Sequence, residues 1–128
     1  MSDYPNLSNA ERLVMDIVWK KGEVLSAEVL EELNGIKDWS RHTVKSYLKQ
    51  LIEKGLVGVK EISARKYIYY VLISKEAFLA DESCHYLNSH YESLSHMVAG
   101  LMKREKVSTE EINALEQLIK EYKGKNDD

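Results

Sequence analysis

The sequence is poor in cysteine and in the residues that most often interrupt secondary structure. Its 128 residues contain one Cys, one Pro and six Gly. A single Cys cannot form an intrachain disulfide, which is typical of proteins in a reducing cytoplasm. No apolar run approaches the roughly 20 residues of a membrane span, and the start of the chain shows no export signal. We therefore expect a cytoplasmic protein without membrane insertion.

Sequence motifs of enzymes are also lacking. The chain contains no glycine-rich phosphate loop, no nucleophile elbow and no His-Glu-x-x-His pair. Its hydrophobic content of 44% is nevertheless enough for a packed core, and its length suits one domain with an appended helical arm. We therefore expect no enzymatic activity, no cofactor and no structural metal.

A strong overall charge of one sign is missing, yet the charges are unevenly placed. The chain carries 18 Lys and Arg against 21 Asp and Glu, for a net charge of −3. Residues 37–75 carry 9 basic and 3 acidic side chains, whereas residues 1–36 carry 3 and 7, and residues 76–128 carry 6 and 11. This basic middle segment predicts one face that binds an anion.

Three short helices are predicted in the first half of the chain. A capping box at Ser8-Asn9-Ala10-Glu11 starts a helix over about residues 9–21, and Ser26 and Ser40 start two more. In such a box the Ser hydroxyl and the Glu carboxylate each accept from the other residue's backbone N–H. The inward face of the third helix consists of Val44, Leu48, Leu51 and Ile52.

A β-hairpin is predicted to follow these helices. Residues 56–62 and 66–73 are rich in Val, Ile and Tyr, which favour strands, and Ser63-Ala64-Arg65 connects them. Three helices and a hairpin in this order are typical of a winged helix-turn-helix. We therefore predict a mainly α fold with a winged-helix domain over residues 1–74.

Residues 75–128 are predicted to form a helical dimerisation domain. A helix is predicted from Ser74 to about Lys103, because its apolar residues alternate at spacings of three and four for more than three heptads. This seam consists of Ala77, Ala80, Cys84, Leu87, Tyr91, Leu94, Val98 and Leu101. A capping box at Ser108 starts a last helix, whose apolar stripe is Ile112, Leu115 and Ile119. A lone helix has no use for such a seam, so we expect a second copy of the chain as partner.

The outward face of the third predicted helix is polar and basic, and it consists of Arg41, His42, Thr43, Lys45, Ser46 and Lys49. An α-helix fits the major groove of DNA, where such side chains bind base edges and phosphates. At the hairpin tip, Arg65 and Lys66 can reach phosphate or the minor groove. An ordinary solvated helix face and a charged turn protecting an edge strand are the alternative interpretations.

Two functions of another class stay open at this point. Cys84 and His85, with Glu92 and His96 along the same predicted helix, suggest a metal- or redox-responsive regulator. The spacing is poor for a metal, however, because no two His lie four residues apart. Alternatively, the winged helix binds a protein, since a fold alone does not determine function.

Several short motifs resemble the BlaI/MecI/CopY family of bacterial repressors, known from the control of penicillinase and methicillin resistance. The resemblance covers nearly the whole chain. Its motifs are Leu7-Ser8-Asn9-Ala10-Glu11, Val14-Met15, Val18-Trp19, Lys37-Asp38-Trp39-Ser40, Thr43-Val44, Lys54-Gly55-Leu56 and Tyr67-Ile68-Tyr69-Tyr70. It implies a transcriptional repressor that binds, as a homodimer, double-stranded operators with TACA/TGTA-type inverted repeats.

The resemblance also implies residue roles. Thr43, Lys45 and Ser46 fall where the family places its base-contacting side chains, and Arg41 stands where relatives often have Pro, which adds a phosphate contact. In penicillinase-type members a membrane sensor protease signals and the repressor arm is cut, typically between Asn and Phe. The matching step here is Gly100-Leu101, which departs from that pair.

Overall fold

The computed structural model describes residues 4–126, which form six helices and three strands. In chain order these are α1 (Asn9–Lys21), β1 (Glu23–Val24), α2 (Ser26–Glu32), α3 (Arg41–Glu53), β2 (Val57–Ser63), β3 (Lys66–Val71), α4 (Lys75–His90), α5 (Leu94–Arg104) and α6 (Thr109–Asn126). Contacts divide the chain into two compact units between His85 and Tyr86. Among residues 4–126, none of the helices combines the length and the hydropathy that a membrane span requires.

The first unit is the predicted winged helix-turn-helix, which confirms the fold class. Its helices begin where the sequence predicts: Ser8 Oγ accepts from the Glu11 N–H at 3.1 Å, and Glu11 Oε1 accepts from the Ser8 N–H at 2.8 Å. Gly22 ends α1 with a φ of 79°. The core of fully buried side chains joins α1 to α3 and to the sheet, and it includes Val14, Met15, Val18, Val29, Val44, Leu48, Leu51, Leu56 and Val57.

The sheet has a strand that the sequence does not predict. Its order is β1-β3-β2, all antiparallel, with Val24 of β1 opposite Tyr69. β1 has only two residues, so it shows no alternation of its own and exists through pairing with β3. In the hairpin, Ser63 pairs with Lys66, and the positive φ of 61° at Arg65 turns the chain between them.

The first turns of α4 pack on the winged domain through Phe78. This side chain is 3% exposed, and its ring centroid lies 6.0 Å from that of Tyr4 and 5.4 Å from that of Trp19. Arg12 covers the Phe78 ring at 5.5 Å and pairs with Glu82 at 2.9 Å. The hydrogen bond to Glu82 raises the pKa of the Arg12 guanidinium. α4 therefore begins as part of the first unit, whereas a functional boundary at residues 74 and 75 stays a prediction.

The prediction of one continuous helix from Ser74 to Lys103 is wrong. α4 ends at His90, and α5 begins at Leu94 with Ser93 as its cap, whose Oγ accepts from the His96 N–H at 3.0 Å. A heptad seam needs one unbroken helix, so the eight seam residues do not form a single stripe. The dimerisation role of its members Cys84, Leu87, Tyr91, Leu94, Val98 and Leu101 stays a prediction.

Candidate nucleic-acid interface

The start of α3 is fixed by its cap. Ser40 Oγ accepts from the Thr43 N–H at 3.2 Å and lies 3.1 Å from Thr43 Oγ1. The Thr43 side chain is half-buried, and its hydroxyl contacts that of the cap residue. Directly before the cap, the Trp39 ring packs on Tyr47 of α3 with 4.9 Å between their centroids. Both contacts hold the first turns of α3 in a defined direction.

The end of α3 is fixed by a buried carboxylate. Glu11 is 4% exposed, and its Oε1 accepts from Lys54 Nζ at 2.7 Å, while that ammonium also donates to the Asn6 carbonyl at 2.9 Å. Burial raises the pKa of the Glu11 carboxyl, but the hydrogen bonds from Lys54 and Ser8 outweigh it, so the pKa lies below its ordinary value of 4.5. The capping box of α1 therefore also fixes the far end of α3.

Between these ends, α3 divides into an inner and an outer face. Val44 and Leu48 are fully buried, and Lys45 and Ser46 between them are turned outward. Of the predicted contact residues, Arg41, His42, Lys45, Ser46 and Lys49 are exposed. The side chains that the sequence predicts for base and phosphate contacts thus lie on the accessible face, with Thr43 as the half-buried exception.

The hairpin tip carries the other two predicted contact residues, Arg65 and Lys66, both exposed. The backbone of Arg65 is in the left-handed conformation, with a φ of 61°. This conformation costs a residue with a Cβ roughly 1 kcal/mol. The Arg65 N–H donates to Glu61 Oε1 at 3.3 Å, which supports the turn. The turn therefore places a guanidinium where glycine or asparagine would be the easier residue.

A cleft of about 220 Å³ lies between α3 and the hairpin. It is lined by Leu25, Ser26, Ala27, Arg41, Lys45, Arg65, Lys66, Tyr67 and Tyr69. The structure thus brings together four of the predicted contact residues, two from α3 and two from the hairpin. It leaves the other four, His42, Thr43, Ser46 and Lys49, outside the lining of the cleft.

The two tyrosines in this cleft are residues that the predicted contact set does not contain. Tyr67 and Tyr69 are two positions apart in β3 and so point to the same face, and this alternation is the signal from which they could be found. Burial, with a contribution from Tyr67, raises the pKa of the Tyr69 hydroxyl above its ordinary value of 10.0. Tyr69 is therefore a neutral hydroxyl beside the four cations.

The residues of the metal and redox alternative fall in both units. Cys84 and His85 are exposed neighbours on α4, and Glu92 lies between α4 and α5, where its N–H donates to His96 Nδ1 at 3.5 Å. In the part of the chain that the structure describes, no three His, Cys, Asp or Glu side chains are placed to hold a metal ion.

Comparisons with known proteins agree with this arrangement. The family model described as penicillinase repressor matches residues 7–121. The chain is 32% identical to the penicillinase repressor of Bacillus licheniformis over 98% of both chains. It is 27% identical to the methicillin resistance regulatory protein MecI of Staphylococcus aureus (strain N315), over 88% of this chain and 92% of that one. It also resembles the solution structure of the DNA binding domain of the repressor BlaI, with a TM-score of 0.51 and 31% identity over 60% of this chain and 93% of that one.

Proposed function

This chain belongs to the penicillinase repressor family and is a DNA-binding transcriptional repressor, and we propose that it acts as a homodimer on a palindromic, double-stranded operator in the cytoplasm. The observation that carries the proposal is the exposed basic face of α3 beside the basic hairpin tip. A helix with such a face fits the major groove, and the hairpin reaches the adjoining backbone.

The homodimer is supported by the apolar surface of the second unit. None of the described residues of α5 and α6 is buried. Large apolar side chains are exposed on both helices: Leu94, Leu101, Met102, Ile112, Leu118, Ile119 and Tyr122. An apolar surface of this kind marks an interface, and symmetric pairing of identical chains is the commonest way to cover one.

Dimerisation also explains how repression can be relieved. Two copies present two α3 helices about 34 Å apart, or a small multiple of that, which matches successive turns of DNA. Separating them removes the second contact and with it a large share of the affinity. The Gly100-Leu101 step lies inside α5, so a sensor protease that cuts there requires local opening of this helix first.

Sedimentation of an Ile119→Asp variant tests the dimer. The substitution places a carboxylate on the apolar surface, so we expect a monomer whose affinity for the palindrome falls about 100-fold and whose binding to a half-site is unchanged. Asn113→Asp introduces the same charge at an exposed polar position of α6 and should sediment like wild type. A dimeric Ile119→Asp, or a monomeric wild-type protein on its operator, would contradict the proposal.

Salt dependence separates DNA binding from the protein-interaction alternative. Because cations that contact phosphate release counterions, affinity for DNA should fall by about 10³-fold between 50 and 200 mM salt if six or more phosphates are contacted. Fluorescence anisotropy of a labelled duplex measures this binding constant. A constant that does not change with salt would favour a protein partner for the winged helix.

A further inference from the structure

We propose that the cleft between α3 and the hairpin holds one phosphate group of the DNA backbone, so that Arg41 and Lys45 act with Arg65 and Lys66 as phosphate contacts. His42, Ser46 and Lys49 then form the stripe that reads bases. The inference rests on the proposed DNA binding and refines it. It also assigns Lys45 differently from the family resemblance, which places a base contact at that position.

The cleft carries charge of one sign. Four cationic side chains line this cleft, and its lining contains no Asp or Glu. Within residues 4–126, none of the four side chains forms an ion pair with the protein, and what sets them apart from single unpaired cations such as Lys37 and Lys49 is that four of them line one cleft. Like charges held close together repel one another, and a bound anion offsets this repulsion.

The cleft is also small. Its volume of about 220 Å³ is below the roughly 300 Å³ at which pockets for drug-sized ligands begin. A compact anion therefore suits it better than a large effector. Tyr67 and Tyr69 also line the cleft, and a tyrosine hydroxyl is a hydrogen-bond donor of the kind that phosphate oxygens accept from.

Helical geometry separates the α3 residues that line the cleft from the rest of its outward face. Arg41 and Lys45 are four residues apart and therefore share one face of α3, the face that lines the cleft. His42, Ser46 and Lys49 follow at spacings of four and three along the neighbouring face, outside the cleft. A helix in the major groove meets both backbone phosphates and base edges, so we assign the side turned to the hairpin to the backbone and the neighbouring face to the bases.

Neutralising single phosphates of the operator tests this assignment. The operator is prepared with one methylphosphonate at a time and titrated against wild type, Lys45→Ala, Lys66→Ala and the control Lys20→Ala, which removes an exposed cation outside the cleft. For wild type and Lys20→Ala, one position per half-site should weaken binding about tenfold. Lys45→Ala and Lys66→Ala should bind the unmodified operator more weakly and should lose less than wild type at that position, because each lacks one of the four cations that share the phosphate.

Base preference provides the second readout. Lys45→Ala should weaken binding to the operator and to unrelated DNA by the same factor, whereas Ser46→Ala and Lys49→Ala should change the preferred base at defined positions. A changed base preference in Lys45→Ala would overturn the inference. Equal sensitivity of all variants to every methylphosphonate would also overturn it, while salt-dependent operator binding by wild type would leave the proposed function intact.

A free anion is the other source of a phosphate group. At constant ionic strength, millimolar inorganic phosphate should not displace the operator from wild type. Displacement from wild type but not from Lys45→Ala would assign the cleft to a small anion and overturn its assignment to DNA.

Discussion

Replacing Glu11 by Ala removes the contact that links the start of α1 to the end of α3. The carboxylate is buried, lies 2.7 Å from Lys54 Nζ and accepts from the Ser8 N–H at 2.8 Å. Both hydrogen bonds go to the ionised carboxylate, and each bond of this kind contributes about 1.5–3 kcal/mol. Together these give a loss of about 3–6 kcal/mol in the free energy of unfolding, which lowers the Tm of a small domain by about 10 °C or more.

The pH dependence gives this prediction a sign. Because the pKa of Glu11 is lower in the folded protein than its ordinary value of 4.5, its stabilisation is complete above that pH and is lost as the pH falls through the folded value. Glu11→Gln cannot ionise, so its deficit relative to wild type should be largest near neutral pH and should shrink below pH 4.5.

Urea denaturation at several pH values, followed by circular dichroism, measures both effects. The control Glu53→Gln removes an exposed carboxylate directly beside Lys54 and should stay within about 0.5 kcal/mol of wild type. A Glu11→Ala variant as stable as wild type, or a Glu11→Gln deficit that does not change with pH, would refute the assigned role of Glu11.

Three further substitutions test other parts of the fold. A Cβ at Gly58 would collide with the Tyr70 ring, so Gly58→Ala should lower the free energy of unfolding, measured by urea denaturation, by about 1–3 kcal/mol. The loss should be smaller in a Tyr70→Ala background, and an equal loss there would contradict this contact. Phe78→Ala should lower the free energy of unfolding by about 3–5 kcal/mol, and Phe78→Leu should lower it less. A Phe78→Ala variant as stable as wild type would refute the burial of this side chain. Arg65→Asn relieves the left-handed turn, so it should unfold no more easily than wild type yet bind DNA several-fold more weakly; unchanged binding would exclude a DNA contact.

The features that could be predicted from the sequence are those that depend on near neighbours. The helix starts at Ser8 and Ser40 follow from cap residues, and the inner face of α3 follows from its apolar spacing. The hairpin tip follows from the polar residues between two Val- and Tyr-rich segments. In each case, the side chains that decide the structure lie within a few residues of one another.

The features that were missed depend on competition or on distance along the chain. Apolar residues at spacings of three and four continue across Ser93, but its hydroxyl caps α5, so a new helix starts there although the apolar pattern continues. The heptad pattern assigns Ala77 to the seam and gives no role to Phe78, whereas contacts with Tyr4 and Trp19 bury Phe78. The convergence of α3 and the hairpin on one cleft is a tertiary feature that no local pattern contains.

Selection of bound sites from a random pool of DNA shows whether α3 recognises an operator and whether two copies bind it together. With the wild-type protein, we expect enrichment of an inverted repeat whose half-sites are separated by one DNA turn, ~34 Å, or a small multiple of it. With Ile119→Asp, we expect enrichment of single half-sites only. A wild-type pool without any enriched sequence would contradict operator recognition by α3, and single half-sites in that pool would contradict the dimer.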